Sequence, residues 1–269
     1  MRPFLFAIPL AGALVAFGPP APTLADDAMP TPAELAASIT HALDPTGSMM
    51  RSLEIDVRGP DGKIVTWQGK QLRKSDASGR KVLTVLTDPP SVGGFAVLVT
   101  ERSESNDTYW MYVPAVRRVR KLIHEGRYEN FLGTDLSAGD VGFLRISPSS
   151  MKVIGKETRD GAETWHVEEH PEQWSGYSRI ETWVATASGL PIRREYYDSD
   201  GRLWKVETRS DIQTFGGRTV PMVLTVKDVQ DGGETTVKYS DVRADVKLDD
   251  SLFTTEALPA ATAKTASPG

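Results

Sequence analysis

Polar and apolar residues alternate with a period of two over most of this chain. Leu53, Ile55 and Val57 are interleaved with Ser52, Glu54, Asp56 and Arg58, the signature of a strand with one wet face. Comparable runs recur at 64–73, 81–87, 95–102, 108–113, 116–123, 152–156, 164–169, 179–185, 192–198, 203–210, 220–229 and 235–242. Between runs lie Asp61-Gly62, Ser78-Gly79, Asp160-Gly161, Asp200-Gly201, Gly216-Gly217 and Asp231-Gly232-Gly233, residues that suit tight hairpins. The pattern predicts a mainly-β fold, an up-and-down antiparallel sheet of about a dozen strands. A twisted sheet that long does not stay flat, so it is expected to curl strongly or close.

Helical periodicity is confined to two places. Thr31-Pro32-Ala33-Glu34 places Thr at a cap, Pro at the first helical position and Glu three residues after the cap, which starts a helix. Leu35, Ala36, Ile39 and Leu43 then form one stripe, and Asp44-Pro45-Thr46-Gly47 ends it. A second, short helix is expected after Ser137, with Ser137 as its cap and Asp140 near the positive end of its dipole.

Two strands break the alternation. Val82-Leu83-Thr84-Val85-Leu86 and Phe95-Ala96-Val97-Leu98-Val99 are apolar on both faces, so neither face is simply solvated. Two helices are little cover for so wide a sheet. Either loops and helices fill the second face as an ordinary core, or a partly plugged concave side leaves a cavity for a greasy ligand. On the second reading its walls include Leu83, Val85, Phe95 and Val97. The tryptophans at 67, 110, 165, 174, 183 and 204 suit a core or a pocket wall alike, and Trp110 and Trp183 are placed in the wall.

The ends of the chain read differently. Arg2, the apolar stretch Phe4 to Phe17 and the small-x-small site Thr23-Leu24-Ala25 predict a signal peptide over residues 1–25. Its removal makes the formal charge of -5 one unit more negative, a balance that does not favour nucleic acid. The chain has no cysteine, which excludes disulfides, thiolate metal sites and a lipid-anchored N-terminal cysteine. The expectation is a periplasmic, unanchored monomer with one domain over 26–258, a length that a single all-β domain fills. The small, polar stretch 259–269 is expected to be a disordered tail.

Candidate chemistry is sparse. His166 and His170 are four apart, but on a strand that spacing is about 13 Å, too far to share a small ion. No nucleophile elbow, phosphate loop or dinucleotide fingerprint is present, so no catalytic residue, metal or cofactor is assigned. The distinctive stretch is Val116-Arg-Arg-Val-Arg-Lys-Leu-Ile123. Alternation sets Arg118 and Arg120 on one face and Arg117 and Lys121 on the other. Four cations on both faces place this strand at a rim. There they either pair with Glu125, Glu129, Asp135 or Asp140, or meet phosphate headgroups or an acidic partner surface.

The segment Tyr112-Val-Pro-Ala-Val-Arg-Arg-Val-Arg-Lys121, followed by Asn130-Phe-Leu-Gly-Thr-Asp-Leu-Ser and then Asp140, resembles two ordered motifs of the outer-membrane lipoprotein-sorting protein family. These are LolA/LolB-like periplasmic proteins often associated with RND-type transporters. The matching positions are Tyr112, Pro114, Arg117, Arg118, Arg120, Phe131, Gly133, Thr134, Asp135 and Asp140. Leu132, Leu136 and Ala138 stand where the family tends to have methionine and aromatic residues. The resemblance implies an incomplete barrel of about eleven antiparallel strands, with helices over an apolar cavity that holds acyl chains. The aromatic side of this segment, Trp110 with Met111, Tyr112 and Pro114, is expected to face the cavity together with Phe131 and Leu132. The implied job is a non-enzymatic carrier of a lipid or lipoprotein acyl group. The alternative is a scaffold docking a transporter or envelope sensor through its basic rim.

Overall fold

A computed structural model describes residues 28–101, 107–123, 130, 132–137, 147–171 and 176–261. The expected signal peptide, Phe131, Asp140, the helix after Ser137 and residues 262–269 lie outside them.

The one α-helix among the described residues, α1 (Pro32–Leu43), begins at the expected box. The Thr31 hydroxyl accepts from the Glu34 backbone N–H, and the Glu34 carboxylate accepts from that of Thr31. Thirteen strands follow: β1 (Gly47–Arg58), β2 (Ile64–Asp76), β3 (Gly79–Asp88), β4 (Ala96–Glu101), β5 (Asp107–Val113) and β6 (Arg118–Leu122) make one arm. The other arm is β7 (Met151–Arg159), β8 (Ala162–Glu169), β9 (Arg179–Ala185), β10 (Pro191–Tyr197), β11 (Leu203–Phe215), β12 (Arg218–Asp228) and β13 (Glu234–Ala244). They form one antiparallel sheet in the order β6-β5-β4-β3-β2-β1-β13-β12-β11-β10-β9-β8-β7. Each arm is a meander of hairpins, and the pairing of β1 with β13 joins them. The sheet is not closed into a barrel: β6 and β7 are its two edges. The six predicted turns all fall between consecutive strands.

Residues paired across strands share a face, so the register divides the sheet into two. The inner face carries α1 and residues 130 and 132–137. Leu35, Ala36 and Ile39 pack on Met151, Trp165, Val167 and Val184 of the second arm. Leu136 enters a larger cluster with Leu53, Ile55, Trp67, Val97, Val99 and Tyr109, mostly of the first arm.

The outer face of the first arm answers what covers the doubly apolar strands. Met50, Leu72, Leu83, Val85, Ala96, Leu98 and Tyr112 are buried under Leu248, Phe253, Leu258 and Ala261. The covering segment holds only two short 3-10 turns, Asp250–Phe253 and Leu258–Ala260. Its apolar residues follow neither strand nor helix period, so alternation alone did not reveal it. Asp250 fastens it by accepting from Lys74 and Lys81 at 2.9 and 2.7 Å. Ala261 is thus part of the core, although it lies in the stretch expected to be a tail.

Gly69 shows how closely β2 and β3 approach. A Cβ there would lie 2.5 Å from the Val85 carbonyl oxygen, at the irregularity between Gln68 and Gly69.

Candidate functional site

The inner face changes character along the sheet. Around the buried cluster of the first arm sits a rim of half-buried apolar side chains: Val57, Val92, Met111, Val113, Leu122 and Leu224. Alternation delivers them, since β1 and β5 turn every second residue inward. Burial of the apolar rim is incomplete where that of the cluster is nearly total.

Toward the middle of the sheet the inner face becomes polar. Arg51, two residues before Leu53 and on the same face, donates through Nε and Nη2 to Gln71 Oε1 at 3.0 and 2.6 Å. Gln71 Nε2 donates in turn to Thr84 Oγ1 at 3.0 Å, and the guanidinium carbon lies 3.6 Å from the Tyr239 ring centroid. Desolvation holds the Arg51 guanidinium down to about 10, so it stays charged at neutral pH.

Further along, Tyr196 donates to Glu207 Oε2 at 2.6 Å and accepts from Arg194 Nη1 at 2.7 Å. Burial opposes the charge on Glu207, but the Arg209 and Arg194 guanidiniums outweigh it and keep the carboxyl below its usual range. Glu169 is the reverse case. Its burial outweighs the more distant Arg194, 4.0 Å away, and raises the carboxyl.

Asn130 and Asp135 are tied to this face by polar contacts. The Asp135 backbone N–H donates to Thr235 Oγ1 at 2.9 Å, and that hydroxyl donates to Asp135 Oδ2 at 2.8 Å. Lys205 Nζ donates to the Asp135 carbonyl oxygen and to Asn130 Oδ1 at 3.0 and 2.7 Å. Burial raises the Asp135 carboxyl. A Cβ on Gly233 would fall 2.8 Å from Asp135 Oδ1, so glycine there admits the close approach.

The structure does not gather the residues expected to line one cavity. Phe95, Val97 and Met111 belong to the inner cluster or its margin. Leu83, Val85, Trp110 and Tyr112 lie on the outer face under the C-terminal segment. Pro114 opens a single 3-10 turn after β5. Leu132 is 41% exposed, and Ser137 is buried and bridges Asn130. Trp183 is on the outer face of the second arm, stacked on His166 at 4.7 Å, with Arg159 over its ring. The cause of the split is that β3 to β5 are apolar on both faces, so adjacent wall candidates point opposite ways.

The basic segment is also divided. Arg117 ends the 3-10 turn in left-handed backbone at φ 49 and is not in the strand. Arg118 and Arg120 face inward and Lys121 outward, all exposed. Lys121 Nζ sits 5.8 Å from the Trp110 ring centroid. Of the expected carboxylate partners, Asp135 is committed to Thr235, while Glu125, Glu129 and Asp140 lie outside the described residues.

Arg51, Gln71, Glu207 and Arg194 were not singled out by the sequence reading. Their signal was present: each stands at an inward position where the apolar pattern would place a hydrophobe. Among the described residues no group of three or more His, Asp or Glu is placed to hold a metal. No helix there is long and apolar enough to cross a membrane.

A family model described only as an uncharacterized protein matches residues 78–260. No curated protein matches the chain. Among solved structures, a domain named for outer membrane lipoprotein sorting from Vibrio parahaemolyticus has a TM-score of 0.77 at 22% identity, covering 84% of this chain and 97% of that one. A DUF1329 family protein from Desulfovibrio piger has a TM-score of 0.78 at 26% identity, with the same coverage. A LolA superfamily protein from Nitrosomonas europaea has a TM-score of 0.66 at 20% identity, covering 84% and 98%. The resemblance seen in the two motifs is therefore borne out in the fold.

Proposed function

We propose, from the premise that this chain belongs to the family of uncharacterized proteins whose model spans residues 78–260, that it is a periplasmic carrier. Its cargo is a lipid or a lipoprotein acyl group, held without catalysis and passed on in outer-membrane lipoprotein or lipid sorting. The observation that carries this reading is the rim of half-buried Val57, Val92, Met111, Val113, Leu122 and Leu224 around the inner cluster. Apolar side chains left partly uncovered favour an apolar guest, because each further Å² removed from water contributes about 25 cal/mol. Leu136 is buried in that cluster, so an acyl chain competes with it for the same neighbours. The fold shared with a domain named for lipoprotein sorting supports the same reading.

The protein purified from membranes is expected to carry a lipid visible by native mass spectrometry, and Met111→Asp with Val113→Asp to lack it. Lipid-free protein that takes up no fluorescent fatty acid would exclude the carrier role.

The exposed Arg118, Arg120 and Lys121, with no carboxylate partner among the described residues, favour a second role for β6. In this role, with Arg117, they dock an RND-type transporter or another envelope protein. Arg117→Glu with Arg118→Glu is expected to abolish partner capture and leave lipid binding unchanged.

A further inference from the structure

We infer that Arg51 is the anchor for the anionic head of the cargo, a carboxylate or phosphate monoester on a single acyl chain. The inference rests on the carrier reading and adds to it the chemistry of the guest and the direction in which it lies.

Arg51 is only 8% exposed, and a guanidinium withdrawn from water is stabilised by an anion. The other arginines that turn inward under cover have one. Asp44 and Glu101 contact Arg80, and Asp44 also contacts Arg73. Glu207 contacts Arg209, and Glu169 stands beside Arg194. Arg51 meets no carboxylate among the described residues; its contacts are the neutral Gln71 amide and the face of Tyr239. Asp44, whose field reaches it, is already held by two arginines. A guanidinium has five N–H donors, and those directed at Gln71 leave others for a ligand. The Gln71 oxygen and the Tyr239 ring fix the plane of the group in advance, which suits paired hydrogen bonds to a planar or tetrahedral oxyanion.

The placement matches an amphiphile. Leu53, Ile55 and Val57 continue inward along β1 from Arg51, each about 6 to 7 Å beyond the last. Leu53 and Ile55 belong to the apolar cluster and Val57 to its rim. A chain whose head meets Arg51 can lay its tail along this row toward the rim by displacing Leu136, which is buried in the same cluster.

The test uses the full chain without its leader and the neutral fluorophore N-phenyl-1-naphthylamine, displaced by dodecanoate, dodecyl phosphate or dodecanol. The wild type is expected to bind at least one of the two anions about 10-fold or more tighter than dodecanol, and the preferred anion identifies the head. Arg51→Met is expected to remove that preference while dodecanol binding stays within about twofold, and Arg51→Lys to keep part of it. Equal wild-type affinity for the alcohol and both anions overturns the anchor but leaves the carrier reading standing. So does an equal loss for all three in a folded Arg51→Met. A wild type that binds neither the fluorophore nor any amphiphile overturns both. Where Arg51→Met does not fold, equal wild-type affinities still overturn the anchor, and a preference that Arg51→Lys leaves at full strength overturns it as well.

Discussion

The two arms of the sheet are built alike and covered differently. Both are hairpin meanders, six strands in one and seven in the other. The first arm has apolar residues on both faces of β3 to β5, and it borrows its outer cover from the far end of the chain. The second arm keeps an outer face of polar and aromatic pairs, such as Trp183 on His166. Its inner face holds charges between β9 and β11 and is closed near β7 and β8 by α1. Strand pairing thus defines the architecture, while the identity of the second-face residues decides which arm has apolar surface to offer a guest. The first arm depends on contacts remote in sequence, and the second largely satisfies itself.

That contrast is broken most sharply at Phe253. Phe253→Ala removes a buried ring from the outer cluster and is expected to cost about 3 to 5 kcal/mol. Amide exchange should then rise in β3 and β4 and stay unchanged in β9 and β10. Equal deprotection of both arms would mean that they unfold as one unit.

A smaller effect is expected where α1 meets the second arm. Gly189 has φ +70, and a Cβ there would collide with the Ser38 hydroxyl. Gly189→Ala is expected to cost about 1 to 3 kcal/mol through left-handed strain and contact, measured by urea denaturation. The outer cover of β2 to β5 should stay protected.

Third comes the buried carboxylate of Glu169, whose Oε2 has no hydrogen-bond partner among the described residues. Its carboxyl is raised by burial, so the folded state binds the proton more tightly than the unfolded chain. The resulting stability is fully present below the ordinary value of 4.5 and is lost as pH rises through the higher folded-state value. Glu169→Gln is accordingly expected to raise the melting temperature at pH 7.5 by roughly 2 to 4 °C, equivalent to about 1 kcal/mol. The gain should fade as the pH drops below 4.5. A gain of the same size at pH 4 would show that charge is not its cause.

The least effect is expected on the outer face where the arms join. There Lys238, an exposed side chain, contacts Glu54 and Asp56 at 2.9 and 2.8 Å. Lys238→Ala should leave the melting temperature within error, because exposed ion pairs contribute little. A measurable loss would mark the β1–β13 junction as more sensitive than either arm.

The alternation of Leu53, Ile55 and Val57, the glycine turns and the Thr31–Glu34 box are short-range signals. Each is carried by a few adjacent residues whose backbone preferences hold wherever the chain sits. They determined the mainly-β class, the hairpin order within each arm and the start of α1. The candidate site was legible only in part. Met111, Phe95 and Val97 were recognised as apolar, but Leu83, Val85, Trp110 and Tyr112 went with them because composition does not say which face a two-faced strand turns inward. Tertiary structure decided that through register, which bulges such as those near Met50 and Gln68 shift locally. It also brought Leu248, Phe253 and Leu258 onto strands more than 120 residues earlier in the sequence. By pairing β1 with β13 it set Arg51 beside Tyr239, although they are 188 positions apart. Such contacts depend on closing very long loops, and no local preference encodes them.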